Sequence, residues 1–418
     1  MAADLSQNIF VGRRLDAENQ KMKKGGTLFT KDFILLICVS LITAFGYSMM
    51  SSLVSSYTLQ MGAGVTLAGV ASGIFSLAAL ISRPFSGYAT DIFNKKTMCV
   101  MSTALISLSV LGYLLAPNVG LFIVIRVIHG IAFGISGTAN LALVSEYIPP
   151  SKTGEGLGYY GIGQVIAQVL GPTVGIYIRD TVGYRFLYAV IAFLTMAAAM
   201  ILIVCLKERK QSNREKTGIT AQTPFSINAF FAKECVVYAL VAGLFSAGNG
   251  IVASFLLPLA EERGIPNISL FFSINAIVLF LMRLTIGKLI DKTDLLLIVV
   301  PSLLVSAFSF GLIGYSSSFW IVMIAAVFKA LGHGGGQISL QSACIKCVPP
   351  GRVGVATATF YIGADIGQGF GSILGGKISS VFNYGTMFYL TAIVIVVVAG
   401  LFTIYEIHRR KTVPKDVR

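Results

Sequence analysis

Arg83-Pro84-Phe85-Ser86-Gly87-Tyr88-Ala89-Thr90-Asp91 closes one long apolar run, and Arg283-Leu284-Thr285-Ile286-Gly287-Lys288-Leu289-Ile290-Asp291 closes another 200 residues later. Both read Arg-x-x-x-Gly-x-x-x-Asp. The same register carries on downstream: Pro149-Pro150 with Pro349-Pro350, Gly154 with Gly354, Ile162-Gly163 with Ile362-Gly363, Gln168 with Gln368, Gly171 with Gly371 and Gly175 with Gly375. An unbroken register over this length is hard to obtain from composition alone. The chain is read as one helical architecture written twice, with a charged hinge at matching places.

Composition says what surrounds those helices. Charged residues make up 12% of the 418 positions and hydrophobic residues 55%, with a mean hydropathy of +0.80. A soluble domain carries about 25% charged residues, so this chain is built for lipid. Forty-four glycines suit helices that approach closely in a bilayer. The net charge of +14 falls between and beyond the apolar runs, where it sets topology rather than marking a nucleic-acid partner.

A spanning helix needs about 20 apolar residues. Twelve runs qualify: 33–58, 64–86, 97–116, 119–145, 155–178, 184–206, 235–259, 267–288, 295–314, 317–345, 354–377 and 384–406. Ala116-Pro117-Asn118, Pro266-Asn267 and Pro349-Pro350-Gly351 read as turns between them. The fold class is therefore all-α, with twelve transmembrane helices in two pseudo-symmetric six-helix bundles. The divisions are a cytoplasmic tail over 1–32, a first bundle over 33–206, a cytoplasmic linker over 207–228, a second bundle over 229–408 and a tail over 409–418. Lysines and arginines concentrate on one side, in the N-terminal tail, at Lys95-Lys96, Lys152, 207–216, Lys288, Lys292, Lys346, Arg352 and Arg409-Arg410-Lys411. Arg179, Arg185, Arg263 and Lys377 are the few on the other, so both termini are expected in the cytoplasm. The polar 1–32 stretch lacks the apolar core of a signal peptide.

The loop Gly87-Tyr88-Ala89-Thr90-Asp91-Ile92-Phe93-Asn94-Lys95-Lys96 resembles the signature between the second and third helices of the major facilitator superfamily. Ile92 stands where that pattern has a base and Asn94 where it has a glycine; Asn tolerates the left-handed turn better than most residues. Arg126 with Gly130 resembles the family's pattern on helix four, His129 replacing its glutamine. The resemblance implies that Glu146 pairs with Lys95 and Lys96 in one conformation. Gly171-Pro172-x-x-Gly175 resembles the fifth-helix pattern of antiporters that export, with Ala167 and Ile176 departing from it. Pro172 is expected to kink that helix and the glycines to let a neighbour close on it.

Ionisable residues at bilayer depth are functional candidates by default. Asp365 lies eleven residues in from Gly354, about 16 Å at 1.5 Å per residue. Lys329 lies about as deep on the preceding antiparallel run and is expected to meet it. Lys329, His333, Gln337 and Gln341 form one polar stripe; Gln164 with Gln168, and Tyr361, Asp365 and Gln368, form others. Arg126, His129 and Asn140 mark the fourth run. Together these predict a polar cavity between the halves. The bland alternatives stay beside them: Lys329–Asp365 as a structural ion pair, Arg126 holding a backbone carbonyl, the histidines as packing residues, the glutamines as interhelical glue.

Cys344-Ile-Lys-Cys347 lacks the second pair or the histidine that a zinc site needs. Neither a Gly-x-Ser-x-Gly elbow nor a Gly-x-x-x-x-Gly-Lys-(Ser/Thr) loop occurs. An enzyme and a built-in ATPase are therefore disfavoured, and no cofactor or metal is called for. The expectation is a monomeric, proton-coupled secondary transporter of a bacterial plasma membrane, an antiporter exporting small amphiphilic drug-like compounds (multidrug resistance) or metabolites by alternating access. Its partners are a small-molecule substrate, protons and the lipid bilayer. Gly87, Asp91, Lys95, Lys96 and Glu146 would latch the cytoplasmic side, and Arg283, Gly287 and Asp291 would do so more weakly. The alternatives are proton-coupled uptake of an organic anion or nutrient, with Arg126 and Lys329 as receivers, and a non-transporting membrane sensor.

Overall fold

The computed structural model describes residues 28–149, 152–206, 232–290, 293–349 and 353–412. Among them the chain forms thirteen α-helices: α1 (Lys31–Ser51), α2 (Val54–Gln60), α3 (Val65–Ile92), α4 (Lys95–Leu115), α5 (Val119–Tyr147), α6 (Thr153–Val182) and α7 (Tyr184–Cys205), then α8 (Val236–Glu262), α9 (Ser269–Ile290), α10 (Leu295–Tyr315), α11 (Phe319–Lys346), α12 (Val353–Val381) and α13 (Tyr384–Thr412). Ten of the helices are long and apolar enough to cross a membrane. α12 falls short because Asp365, Lys377 and its many small residues dilute its hydropathy, and the fully described part of α9 is an apolar stretch over Ser269–Met282. The first apolar run is broken in two, since the chain turns at Ser52-Leu53 between α1 and α2.

Side-chain caps fix where several helices begin. Thr30 starts α1, Asn94 starts α4, Asn118 starts α5 and Asp294 starts α10, each accepting a hydrogen bond from a backbone N–H of the first turn. Asn94 therefore corrects the sequence reading. Its φ is −63°, extended rather than left-handed, and its side chain is committed to Thr97 N. The helix carrying the motif runs on through Asp91 to Ile92, so the turn comes later than the motif suggests. The left-handed turns fall at Gly62, Gly183 and Gly264, and at Asn267 with φ 54°. Prolines at 84, 172, 258 and 301 sit inside continuous helices; the freed backbone groups must be satisfied by neighbours.

The packing repeats itself as the sequence does. In the first half α1 packs on α6 and α7, α3 on α5, and α4 on α5 and α7. In the second, α8 packs on α12 and α13, α9 on α11, and α10 on α11 and α13. The halves meet through α3 against α12 and α6 against α9, which are each other's images under the 200-residue shift. Cys235, just ahead of α8, is brought to Cys347, with the two sulfurs 3.4 Å apart; all six cysteines are free thiols. Burial pushes the Cys347 thiol up to about 12, so it is scarcely thiolate at neutral pH and poorly nucleophilic.

Glycine decides how close the helices come. On α12, Gly363, Gly367 and Gly371 recur every fourth residue along the α8 contact, where a Cβ would strike the backbone of Ala239, Gly243 and Ala247. Gly369 and Gly376 turn another face to Gly73 and Gly69 of α3. In the first half Gly171 and Gly175 do the same for α6 against Ser48 and Met49 of α1. Such stripes replace the hydrophobic drive that lipid cannot supply.

Candidate functional site

The molecule has two ends, named here from its helices. The near end carries the start of α1 and the end of α13. The far end carries the start of α3 and the end of α12. Contacts between the halves concentrate at the far end. Thr66 donates to Ser380 at 2.9 Å, Thr173 and Ser273 hydroxyls are 3.0 Å apart, and Ser273 donates to the Val169 carbonyl at 2.6 Å. Arg179 reaches Glu261 at 2.5 Å and Asp180 at 2.6 Å. Sequence reasoning saw Arg179 as a loop charge. α6 runs on to Val182, so Arg179 lies in its last turn and faces α8.

At mid-depth one ion pair joins the halves. Arg83 Nε on α3 lies 3.0 Å from Asp365 Oδ2 on α12, the arginine side chain 40% exposed and the aspartate 20%. The N–H is not aimed at the oxygen, so neither atom counts as hydrogen-bonded. The distance and the unsatisfied atoms agree once this is read as a contact of charges without an aligned bond. Beside it Tyr47 of α1 stacks between Phe75 and Phe133 and its hydroxyl faces Gln368 of α12. The site thus holds one carboxylate, one guanidinium, an amide and a phenol from both halves.

Lys329 does not meet Asp365. It is buried in the second half, where its ammonium donates to Asn249 Oδ1 of α8 at 2.5 Å, and the Asn249 amide lies 3.2 Å from His333 Nε2. Lys329 turns to α8 while Asp365 turns to α3. Arg126 is also buried within its own half, donating from Nε to the Ala71 carbonyl at 2.9 Å with its guanidinium over the Phe75 ring. His129 meets Tyr113 through Nδ1 at 2.7 Å. Asn140 is buried with its Oδ1 unpartnered, and Gln337 donates to Ser246 at 3.5 Å. Gln164, Gln168 and Tyr361 are exposed; Gln341 donates to the Tyr361 hydroxyl at 3.3 Å. The predicted polar residues thus divide between one group at the boundary and two buried inside the halves.

The near end holds the charged loop. Lys95 pairs with Glu146. Lys96 does not share that partner: its ammonium caps α7 through the Leu206 carbonyl at 2.7 Å and the Ile203 carbonyl at 3.2 Å. Among the described residues, a Cβ at Gly87 would touch nothing within 4 Å. α6 continues unbroken through Pro172. Asp291, and the side chains of Asp91, Arg283 and position 287, lie outside the described residues.

Comparison with known proteins accords with this architecture. The Major Facilitator Superfamily profile matches residues 36–316 and 239–418. An uncharacterized MFS-type transporter of Methanocaldococcus jannaschii is 22% identical over 91% of this chain and 99% of its own length. The multidrug resistance protein MdtG of Dickeya zeae is 24% identical, covering 85% of this chain and 89% of its own. The multi-drug resistance efflux pump PmrA of Streptococcus pneumoniae is 23% identical over 78% and 82%. Among solved structures, the nucleoside transporter NupG superposes with a TM-score of 0.74 at 15% identity, over 90% of this chain and 98% of its own. With that profile spanning both repeats and the fold shared end to end, the chain belongs to the major facilitator superfamily and is a multi-pass membrane transporter.

Proposed function

We propose that the protein is a proton-coupled secondary transporter that exports small amphiphilic compounds or metabolites by alternating access. It would lie in a bacterial plasma membrane with both termini cytoplasmic. α9 and α12 complete twelve crossings, α1 and α2 together making the first, and the crossings divide into six-helix sets over 33–206 and 229–408. The kinship with MdtG and PmrA supports export of drug-like compounds.

The observation that carries the reading is the Arg83–Asp365 pair. It is a carboxylate at membrane depth, partly open, at the boundary across which the two sets must move. A proton or a cationic substrate on Asp365 would cancel its attraction for Arg83. That gives the ligand a differential free energy between conformations, which any coupling requires. The close contacts at the far end, with Gln164, Gln168 and Tyr361 exposed, support a state open toward the near end. Uptake of an organic anion is the second reading; its intended receivers, Arg126 and Lys329, face the Ala71 carbonyl and the Asn249 amide inside their own halves rather than the boundary.

Proteoliposomes holding a pH-sensitive dye test the reading. Substrate added to the wild-type protein should move protons across the membrane. Asp365→Asn should fold and insert normally but move none. Unaltered proton movement in that variant would remove Asp365 from coupling.

A further inference from the structure

The Arg83–Asp365 contact leaves most of its hydrogen-bonding capacity unused. Arg83 Nε and Asp365 Oδ2 face each other at 3.0 Å, covered and unbonded. Asp365 Oδ1 and the two terminal nitrogens of Arg83 are not covered in that way, and no described residue hydrogen-bonds to them. A carboxylate oxygen that can accept and a guanidinium fork that can donate thus stand side by side at the boundary. Among the described residues the other charge beside them near Tyr47 is Arg126. It is buried, donates to the Ala71 carbonyl and holds its guanidinium over the Phe75 ring. The two groups open to a ligand are therefore one acid and one base.

Charge balance then selects the ligand. A cation on Asp365 takes the carboxylate's charge and leaves Arg83 uncompensated. An anion on Arg83 does the same to Asp365. A charge left without a partner away from bulk water is costly. A ligand carrying both charges answers both ends at once: its ammonium donates to Oδ1, and its carboxylate accepts from the planar guanidinium fork. Rings flank the pair. Tyr361 lies one turn before Asp365 on the same face of α12 and is 47% exposed. Gln368 lies one turn after it, facing the hydroxyl of half-buried Tyr47. An aromatic body joined to the charged head would lie against these rings.

We propose that the Arg83–Asp365 pair binds zwitterionic substrates, small molecules with an ammonium and a carboxylate close together on an aromatic body. This rests on the reading that the boundary at Asp365 is the transport site, and it narrows the substrate class of that site. The ammonium would occupy the carboxylate that a proton also needs, so substrate and proton exclude one another there.

Three probes that share one phenyl ring test it by calorimetry on the purified full-length protein. Phenylalanine carries both charges, 2-phenylethylamine only the ammonium and 3-phenylpropanoate only the carboxylate. Phenylalanine should bind saturably and about tenfold tighter than either of the others, the difference expected for one hydrogen bond between charged groups. Arg83→Gln should erase its advantage over 2-phenylethylamine, and Asp365→Asn its advantage over 3-phenylpropanoate. Arg83→Lys keeps the charge and should keep a preference for phenylalanine, which separates loss of the site from loss of the fold. Binding is read without a proton gradient. A failure of proton coupling at Asp365 therefore leaves this result unchanged, and a failure here leaves coupling to the dye assay. Phenylalanine binding no tighter than the single-charge probes, no saturable binding, or a preference that survives both Arg83→Gln and Asp365→Asn would overturn the proposal.

Discussion

Arg83 on α3 and Asp365 on α12 face one another across the boundary between the repeated halves, 3.0 Å apart, with the donor N–H turned aside from the carboxylate. The pair is close enough to attract and too poorly aligned to lock. Partly exposed ion pairs contribute at most about 1 kcal/mol to stability. Asp365→Asn should therefore shift the melting temperature by no more than about 4 °C for a chain of this size while abolishing proton coupling. Differential scanning fluorimetry beside the dye assay reads both. A large loss of stability would make the pair a structural one.

Arg179 and Glu261 tie α6 to α8 at the far end. Glu261→Gln should release that end and move the population toward the far-open state. With the pair partly in water the shift should be about fivefold or less, which corresponds to about 1 kcal/mol. Spin labels on the far ends of α6 and α8 should report longer distances. An unchanged distribution would reduce the pair to a surface contact.

The glycines separate packing from motion. Gly73→Val would drive a side chain into the Gly369 carbonyl between the halves, so it should bias the protein against the far-closed state without unfolding it. Gly367→Val would strike the Gly243 backbone inside the second half and should cost stability outright, about 1–3 kcal/mol as overpacking does. Gly87→Ala meets none of the described residues and should be neutral or stabilising by up to about 1 kcal/mol. Labelled distances and melting temperatures measured on the three variants check the contrast. Equal destabilisation by the first two would erase the distinction.

Asp294 sits outside the spans, and its hydrogen bond from Arg410 holds its carboxyl below the usual carboxylate range. A depressed carboxylate stabilises the fold above its unfolded pKa, near 4, and that contribution disappears as pH falls through the lower folded value. The pair is over one-third exposed, so the effect is under about 1 kcal/mol. Asp294→Asn should lower the melting temperature slightly at pH 6 and by less at pH 3. A deficit of the same size at both would point to the lost α10 cap instead.

Much of this was legible in the chain because periodicity and duplication are properties of sequence. The 200-residue register anticipated that α3 and α9, and α6 and α12, would occupy equivalent places. Position along a helix was equally readable, and it set Asp365 well inside α12 rather than at an end. Rotation about the helix axis was not readable. It depends on which neighbour each face meets, and that separated Lys329, turned to Asn249, from Asp365, turned to Arg83. Arg83 itself was absorbed into a loop motif because Pro84 and Gly87 read as the end of a helix, whereas α3 continues two turns further. Lys96 was missed as a cap for a similar reason. The carbonyls at 203 and 206 that it satisfies lie about 110 residues away, and no local signal announces them.

α12 meets α8 through Gly363, Gly367 and Gly371, and meets α3 through Gly369, Ile373 and Gly376 beside the Asp365 contact. It therefore lies as one rod against its own half on one side and against the other half on its second side. Asp365 rides on that rod. On the proposed mechanism, titration and displacement would share one rigid body, and a charge cancelled at this carboxyl would act directly at the boundary between the halves, since Asp365 itself contacts Arg83 there.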